Sequence, residues 1–332
     1  MKKVRWGILS TANIGMEKVT PAIQASPHSE VVAIASRDLG KAQAASAKLG
    51  IPKAYGSYEE LFADPSIDAI YNPLPNHLHV PMTLAATRAG KHVLCEKPIA
   101  LSAAEAEQLR DCPADRIVLE AFMIRFHPQW LRAREIIRSG ELGELRAINA
   151  VFTYFNDDPA NVRNQAEIGG GGLMDIGCYP ITAGRFLFEA EPRRVVAMVE
   201  RDEQFQTDRL ASVLMDFGDG RQLNFICSTQ AAGEQSLQVL GSKAKLNIVI
   251  PFNAPANERT AITVDIGAPF DGSLARREIL PACDQYTEQA EAFALAVLGE
   301  QPLPWGVEDA ILSMKVLDAI FVSEKIGTWA TV

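Results

Sequence analysis

The chain has 332 residues, 48% of them hydrophobic and 22% charged, and carries a formal net charge of -9 at pH 7. That length exceeds one ordinary domain and suits two, and the composition excludes a long disordered tail. Basic residues are scattered, so no basic stripe exists to release phosphate counterions, which argues against a nucleic-acid partner.

The opening MKKVRWGILS places two lysines before a short apolar run, which the polar stretch Ser10-Thr11-Ala12-Asn13 interrupts. The pattern predicts a first β-strand from Val4 to Leu9 rather than a signal peptide. Apolar spacing then turns helical from Ile14 to Ala25. The β-branched and small apolar run Val31–Ala35 predicts a buried parallel strand. Asp38 is placed to cap a helix running to Leu49, with Gly50 at its C-terminal end. Ser57 with Glu60, and Ser102 with Glu105, are capping-box patterns. Ile67–Tyr71, His92–Cys95 and Ile117–Phe122 read as further strands, and His77–Ala89 as a helix stopped by Gly90. Strands separated by helices of this length imply a parallel sheet with right-handed crossovers.

After about residue 123 the pattern changes. Pro128–Ser139 is one more helix. Strand-like runs then follow one another: Leu145–Phe155, Arg194–Glu200, Leu210–Asp216, Gln222–Thr229, Leu237–Leu240, Lys245–Ile250 and Thr260–Ile266. Turns such as Gly218-Asp219-Gly220 predict antiparallel hairpins. Helices near Gln285–Leu298 and Glu308–Ser323 close the chain. The fold class is therefore α/β, with an N-terminal Rossmann domain over 1–123 and an α+β domain over 124–332, whose last helices are free to pack back on the first domain. Five widely spaced cysteines with no CxxC pair predict no zinc site and reduced thiols in the cytoplasm. No metal-ligand cluster is expected, and no apolar run approaches a transmembrane helix, so no membrane role is expected.

A Rossmann domain binds a dinucleotide where its first strand turns into its first helix. The G-x-G-x-x-G fingerprint is replaced here by Ser10-Thr11-Ala12-Asn13-Ile14-Gly15, where only the third glycine remains. Ser and Ala are small enough for backbone amides to approach a pyrophosphate, and the segment also fits a plain strand–helix turn. The second strand ends Ala35-Ser36-Arg37, where an NAD enzyme carries a carboxylate for the ribose 2′-hydroxyl. Ser36 and Arg37 suit a 2′-phosphate instead, and so point to NADP. A solvent-exposed loop arginine is the plainer alternative.

Three segments stand out together: Pro75-Asn76-His77-Leu78-His79, Cys95-Glu96-Lys97-Pro98, and the run from Gly169 through Asp175 to Pro180. Glu96-Lys97-Pro98 follows a strand and so lies at the carboxyl edge of the sheet, where ligands of open α/β sheets bind. With Gly-Gly-x-Leu-x-Asp-x-Gly-x-Tyr ending at Tyr179, the set resembles the glucose–fructose oxidoreductase and inositol dehydrogenase superfamily over essentially the whole chain. Within it, Tyr71–Asn76, Glu120–Arg125 with His127-Pro128, and Tyr154-Phe155-Asn156 resemble the NADP-dependent D-xylose 1-dehydrogenase-like group. The missing loop glycines depart from the broad family and fit this subgroup.

The resemblance implies an open-faced, mostly antiparallel C-terminal sheet, a homodimer or larger homo-oligomer through that face, and an enzyme using NADP. It implies that Lys97 is catalytic, often with a cis bond to Pro98, and that Asp175 and Tyr179 share one face of a helix entering the active site. The cofactor-binding set is then Ser10, Thr11, Ala12, Asn13, Ile14, Ser36, Arg37, Leu74, Asn76, His79, Glu96 and Lys97. Arg125, His127, Asn156 and Arg163 are weaker candidates for a sugar pocket, and His127 equally suits packing or capping beside Pro128. The expected reaction is oxidation of an aldose, with D-xylose foremost, at C1 to the lactone. In it Tyr179 is the base, its pKa lowered by Lys97 and the nicotinamide, and Asp175 orients Lys97 or the sugar. Reduction of a ketosugar such as 1,5-anhydrofructose, oxidation of a trans-dihydrodiol, and a non-catalytic NADP-sensing regulator are the alternatives.

Overall fold

The computed structural model describes residues 2–269 and 271–332 and divides into two compact units. The first comprises residues up to Met123 together with Gln285–Ile311, and the second Ile124–Asp284 with Leu312–Val332. Gln285–Ile311, from the closing part of the range 124–332, thus groups with the first unit, while Leu312–Val332 returns to the second.

In the first unit, strands β1 (Val4–Leu9), β2 (Ser29–Ala35), β3 (Lys53–Tyr55), β4 (Ala69–Asn72), β5 (His92–Cys95) and β6 (Val118–Glu120) form one sheet in the order β3-β2-β1-β4-β5-β6. Every pairing in it is parallel. The order reverses between β1 and β4, so the crevice for a ligand opens at their carboxyl ends. There a π-helical turn, Gly15–Val19, leads into helix α1 (Thr20–Ala25). Helices α2 (Leu39–Leu49), α3 (Tyr58–Ala63), α4 (His79–Arg88) and α5 (Ala103–Ala106) supply the crossovers.

Local chemistry sets these boundaries. Asp38 Oδ1 accepts from Lys41 N–H at 3.2 Å to cap α2, and Gly50 ends it at φ 67°. Ser57 and Ser102 accept from the amides of Glu60 and Glu105, each at 3.2 Å. The returning glutamates reach one residue further back than a capping box requires, to the amides of Gly56 and Leu101. The α5 helix is shorter than the spacing predicts, giving way to a 3₁₀ segment over Glu107–Asp111.

The second unit holds helix α6 (Pro128–Arg138), helix α7 (Cys178–Phe188) and a nine-stranded sheet. Its strands are β7 (Leu145–Phe155), β8 (Arg194–Arg201), β9 (Asp208–Gly218), β10 (Arg221–Ser228), β11 (Gln230–Gly241), β12 (Lys245–Ile248), β13 (Thr260–Asp265), β14 (Arg276–Leu280) and β15 (Ala330–Thr331), in the order β14-β13-β12-β11-β7-β10-β9-β8-β15. All pairs are antiparallel except β7 with β10. Along β7 and β10, Ile148, Ala150, Phe152, Leu223, Phe225 and Cys227 are buried on one face. The opposite face carries rows that run across strands: Met198, Ser212, Ile226, Val151 and Ser236 in one register, and Asn224, Asn149, Gln238 and Asn247 in another. The amides of the second row are hydrogen-bonded in sequence from strand to strand. The charged strand β14 escapes a hydrophobicity reading because it is an edge strand, where charge is the protective choice.

Candidate active site

In the first unit the carboxyl ends of β1, β2, β4 and β5 bring together most of the cofactor residues read from sequence. Ser10 sits where a glycine is usual and takes φ 66°, with its Oγ accepting from Ala12 N–H at 3.2 Å. The serine thus makes the turn that the missing glycine would make, and its own hydroxyl offsets part of the cost of the left-handed backbone. Thr11, Ala12 and Ile14 are half-buried and Asn13 is exposed. Ser36 is buried at the end of β2, where its Oγ accepts from Asp38 N–H at 3.2 Å, and Arg37 beside it is exposed. A hydroxyl and an exposed guanidinium at this edge, with no carboxylate between them, fit a 2′-phosphate.

The Glu96-Lys97-Pro98 step is held from several sides. Its Lys97–Pro98 bond is cis. Tyr71, fully buried, donates through its hydroxyl to Glu96 Oε1 at 2.7 Å, and Ile99 N–H donates to the buried Glu120 at 2.8 Å. His79, expected among the cofactor ligands, is corrected to a support. It is 1% exposed, with Nδ1 2.7 Å from the Pro98 carbonyl and Nε2 2.6 Å from that of Leu74. Burial pushes its pKa down to about 4 against two carbonyls that favour the charged ring. With a backbone carbonyl beside each nitrogen and one N–H to donate, the neutral ring sits between the Lys97–Pro98 step and the loop carrying Leu74 and Asn76. Leu74 is buried, with its amide donating to Asn72 Oδ1 at 3.3 Å, while Asn76 and Lys97 are half-buried.

In the second unit the glycine run ends at Gly172, and a π-helical turn, Leu173–Gly177, leads directly into α7. Asp175 lies on the turn and Tyr179 on the first turn of α7. Asp175 Oδ2 accepts from Tyr154 Oη at 2.6 Å and from Arg163 Nε at 2.9 Å. Burial first, and then the Asp175 charge, hold the Tyr154 phenol protonated well above its usual range. The same carboxylate raises the pKa of Arg163. Tyr179 is buried with its ring against Phe152 and Phe252, at centroid distances of 5.5 and 5.6 Å. Those two phenylalanines stack on each other at 4.9 Å, so the tyrosine has a rigid backing.

The glycines have a steric cause. A Cβ on Gly170 would lie 2.6 Å from the Arg163 carbonyl oxygen, and one on Gly171, already at φ 124°, would lie 2.1 Å from Asp208 Oδ1. The loop 156–165 is tied by Asn164, whose Nδ2 donates to Asn156 Oδ1 at 3.1 Å and to the Asp158 carbonyl at 2.9 Å. Asn156 therefore spends its side-chain oxygen on the loop that presents Arg163. Arg125 is 3% exposed. His127 is corrected from the sugar pocket to a helix cap. It is fully buried and its Nδ1 accepts from Gln129 N–H at 3.1 Å to start α6.

Tyr154 received no role from sequence, although period-two alternation along β7 places it on the same face as Phe152. Asp208 carries no local signal at all, since an isolated aspartate at a strand start looks like any turn residue.

Two family models cover most of the chain: an oxidoreductase family with an NAD-binding Rossmann fold over residues 4–119, and the GFO/IDH/MocA C-terminal domain over 130–247. An uncharacterized oxidoreductase, ORF334, of Rhizobium meliloti is 46% identical over all of both chains. The D-xylose 1-dehydrogenase (NADP(+)) 2 of Haloferax volcanii is 39% identical, over 97% of this chain and 98% of that protein. The crystal structure of KijD10, a 3-ketoreductase from Actinomadura kijaniata in complex with NADP and TDP-benzene, superposes with a TM-score of 0.90 at 30% identity, over 97% of this chain and 98% of that one.

Proposed function

Since the chain belongs to the GFO/IDH/MocA family of oxidoreductases, we propose that it is an NADP-dependent sugar dehydrogenase that oxidises a free pyranose aldose at C1 to the lactone, with D-xylose as first substrate. The observation that carries this reading is Asp175, held by Tyr154 and Arg163 one helical turn from Tyr179. This is an oriented carboxylate beside a phenol on a rigid apolar backing. The 39% identity to the Haloferax xylose dehydrogenase supports both the sugar and the cofactor.

In this reading Tyr179 Oη, as the phenolate, takes the proton of the anomeric hydroxyl. Lys97 Nζ supplies a fixed positive charge that stabilises the oxyanion. Asp175 orients the sugar hydroxyls, and Arg163 and Asn156 extend the polar surface of the pocket. Ser36 and Arg37 bind the 2′-phosphate, and the Ser10–Ile14 turn with Leu74, Asn76 and Glu96 seats the rest of the dinucleotide. Bound NADP supplies the hydride acceptor at its nicotinamide. Five widely spaced cysteines with no CxxC pair support a reducing, cytoplasmic setting. The half-apolar open face of the nine-stranded sheet supports a homodimer through that face.

The test is the initial rate of NADP reduction with D-xylose, D-glucose, D-lyxose and L-arabinose at equal concentration, with 1,5-anhydrofructose plus NADPH run in parallel. D-xylose should be fastest. Its C2 and C4 epimers should be slower, because an unpaired buried polar group costs about 1–3 kcal/mol. In the same assay Tyr179→Phe should lower kcat by about 100- to 10,000-fold with NADP affinity nearly unchanged. The likeness to the 3-ketoreductase favours one second reading, reduction of a ketosugar with the same residues. It replaces the first if no aldose is oxidised while anhydrofructose is readily reduced.

A further inference from the structure

The segment that carries Asp175 and Tyr179 begins at Leu173, and the residue before it is Gly172, which has no side chain to cap it. A helix start leaves backbone amides without internal partners, and they need an acceptor. Asp208, at the beginning of β9, supplies one from 35 residues away. Its Oδ2 accepts from Leu173 N–H at 2.5 Å, while its Oδ1 lies against Gly171 so closely that no Cβ fits there. Asp208 is 2% exposed. We infer that Asp208 is a positioning residue, a remote cap whose carboxylate fixes the glycine turn and the first amide of the Asp175–Tyr179 segment. The inference rests on the reading that Tyr179 transfers the proton.

The surroundings make this cap sensitive to pH. Burial pushes the Asp208 carboxyl up to about 7, against the opposing pull of the Leu173 amide and of Arg201 on β8. Arg201 is shared with Glu324, which takes that guanidinium through two bonds of 2.7 Å and acts on Asp208 as a like charge. Tyr154 on β7 and Cys227 on β10 are titratable neighbours as well, and the Asp208 charge raises the pKa of each. A carboxylate accepts from an amide more strongly than the neutral acid does. The cap is therefore firm above neutrality and weakened below it.

The experiment compares the full-length protein with Asp208→Asn, which is close in shape and cannot ionise. Backbone amide exchange over residues 172–175 should accelerate about 10-fold in the variant. Its kcat should fall about 10-fold at alkaline pH with the KM for NADP unchanged, and its kcat–pH profile should show one ionisation fewer than that of the unmodified enzyme. Unchanged exchange, or faster exchange with an unaltered kcat and pH profile, overturns the inference. Should the variant not fold, the Leu173 amide of the unmodified protein decides: exchange that stays slow at about pH 8 supports the cap, and exchange as fast as that of a solvent-exposed amide overturns it. Failure of the Tyr179 reading is seen separately, as a Tyr179→Phe enzyme with normal turnover, and leaves the exchange results to judge Asp208.

Discussion

Ser10 shows how far a residue can depart from a fingerprint while keeping its geometry. The turn needs a positive φ, which serine adopts at a cost that its own hydroxyl offsets by holding the Ala12 amide. A motif scan looks for the glycine, whereas the physics asks only for the conformation. Ser36 and Arg37 make a sharper claim. Replacing Ser36 with Asp and Arg37 with Ala should reverse or abolish a preference for NADP. A lost charge-assisted contact to phosphate costs roughly 1.5–3 kcal/mol, or about 10- to 150-fold in affinity. Cofactor titrations with NADP and NAD check this, and equal kcat/KM for both in the unmodified protein would sink it. His127 makes a claim about acid stability. Burial pushes its ring down to about 4, below the roughly 6.5 of an unfolded histidine, so the unfolded chain takes up a proton first. Its contribution is complete above pH 6.5 or so and is lost as pH falls toward 4, on the order of 3 kcal/mol in all. His127→Asn keeps the cap acceptor without the titration. Melting temperatures should therefore fall less steeply with acid in the variant, and parallel curves would refute the assignment.

Among the elements, the glycine run from Gly169 to Gly172 is tightly constrained at Gly170 and Gly171. Gly170 faces the carbonyl oxygens of Arg163 and Gln165, which would lie 2.6 and 2.7 Å from any Cβ at that position. Backbone atoms tied in a loop cannot move aside as a side-chain tip can. Gly170→Ala should therefore cost about 1–3 kcal/mol of stability. It should also lower kcat, because the displaced loop carries Arg163 and leads to Asp175. Thermal melts and steady-state kinetics on one preparation check both, and a variant with unaltered melting and turnover would show the contact to be relieved elsewhere. The capping serines were legible in sequence because a cap is local. The cap that Asp208 provides was not, because its donor and acceptor are brought together only by strand β9 lying beneath the glycine turn.

For the molecule as a whole, the face of the nine-stranded sheet opposite its buried side carries exposed apolar side chains such as Met198 and Ile226. Met198 is 75% exposed and shares a register with Ser212 and Ile226. If that face pairs two copies, Met198→Glu places like charges at the interface and should shift the protein toward monomer. Light scattering across a dilution series would show it, and an unmodified protein that is monomeric throughout would rule out the dimer. The alternation of strand and helix, the capping residues, the Lys97 step and the Asp175–Tyr179 pair were determined by sequence alone, since each depends on residues within a few positions of one another. Only the tertiary structure decided that His79 and His127 serve backbone rather than ligand, that β7 and β10 run parallel, that Tyr154 and Arg163 converge on one carboxylate oxygen, and that Asp208 caps a helix from a distant strand. Each of these is a meeting of residues far apart in the chain, and hydrophobic periodicity reports which face a residue takes but not which partner waits there.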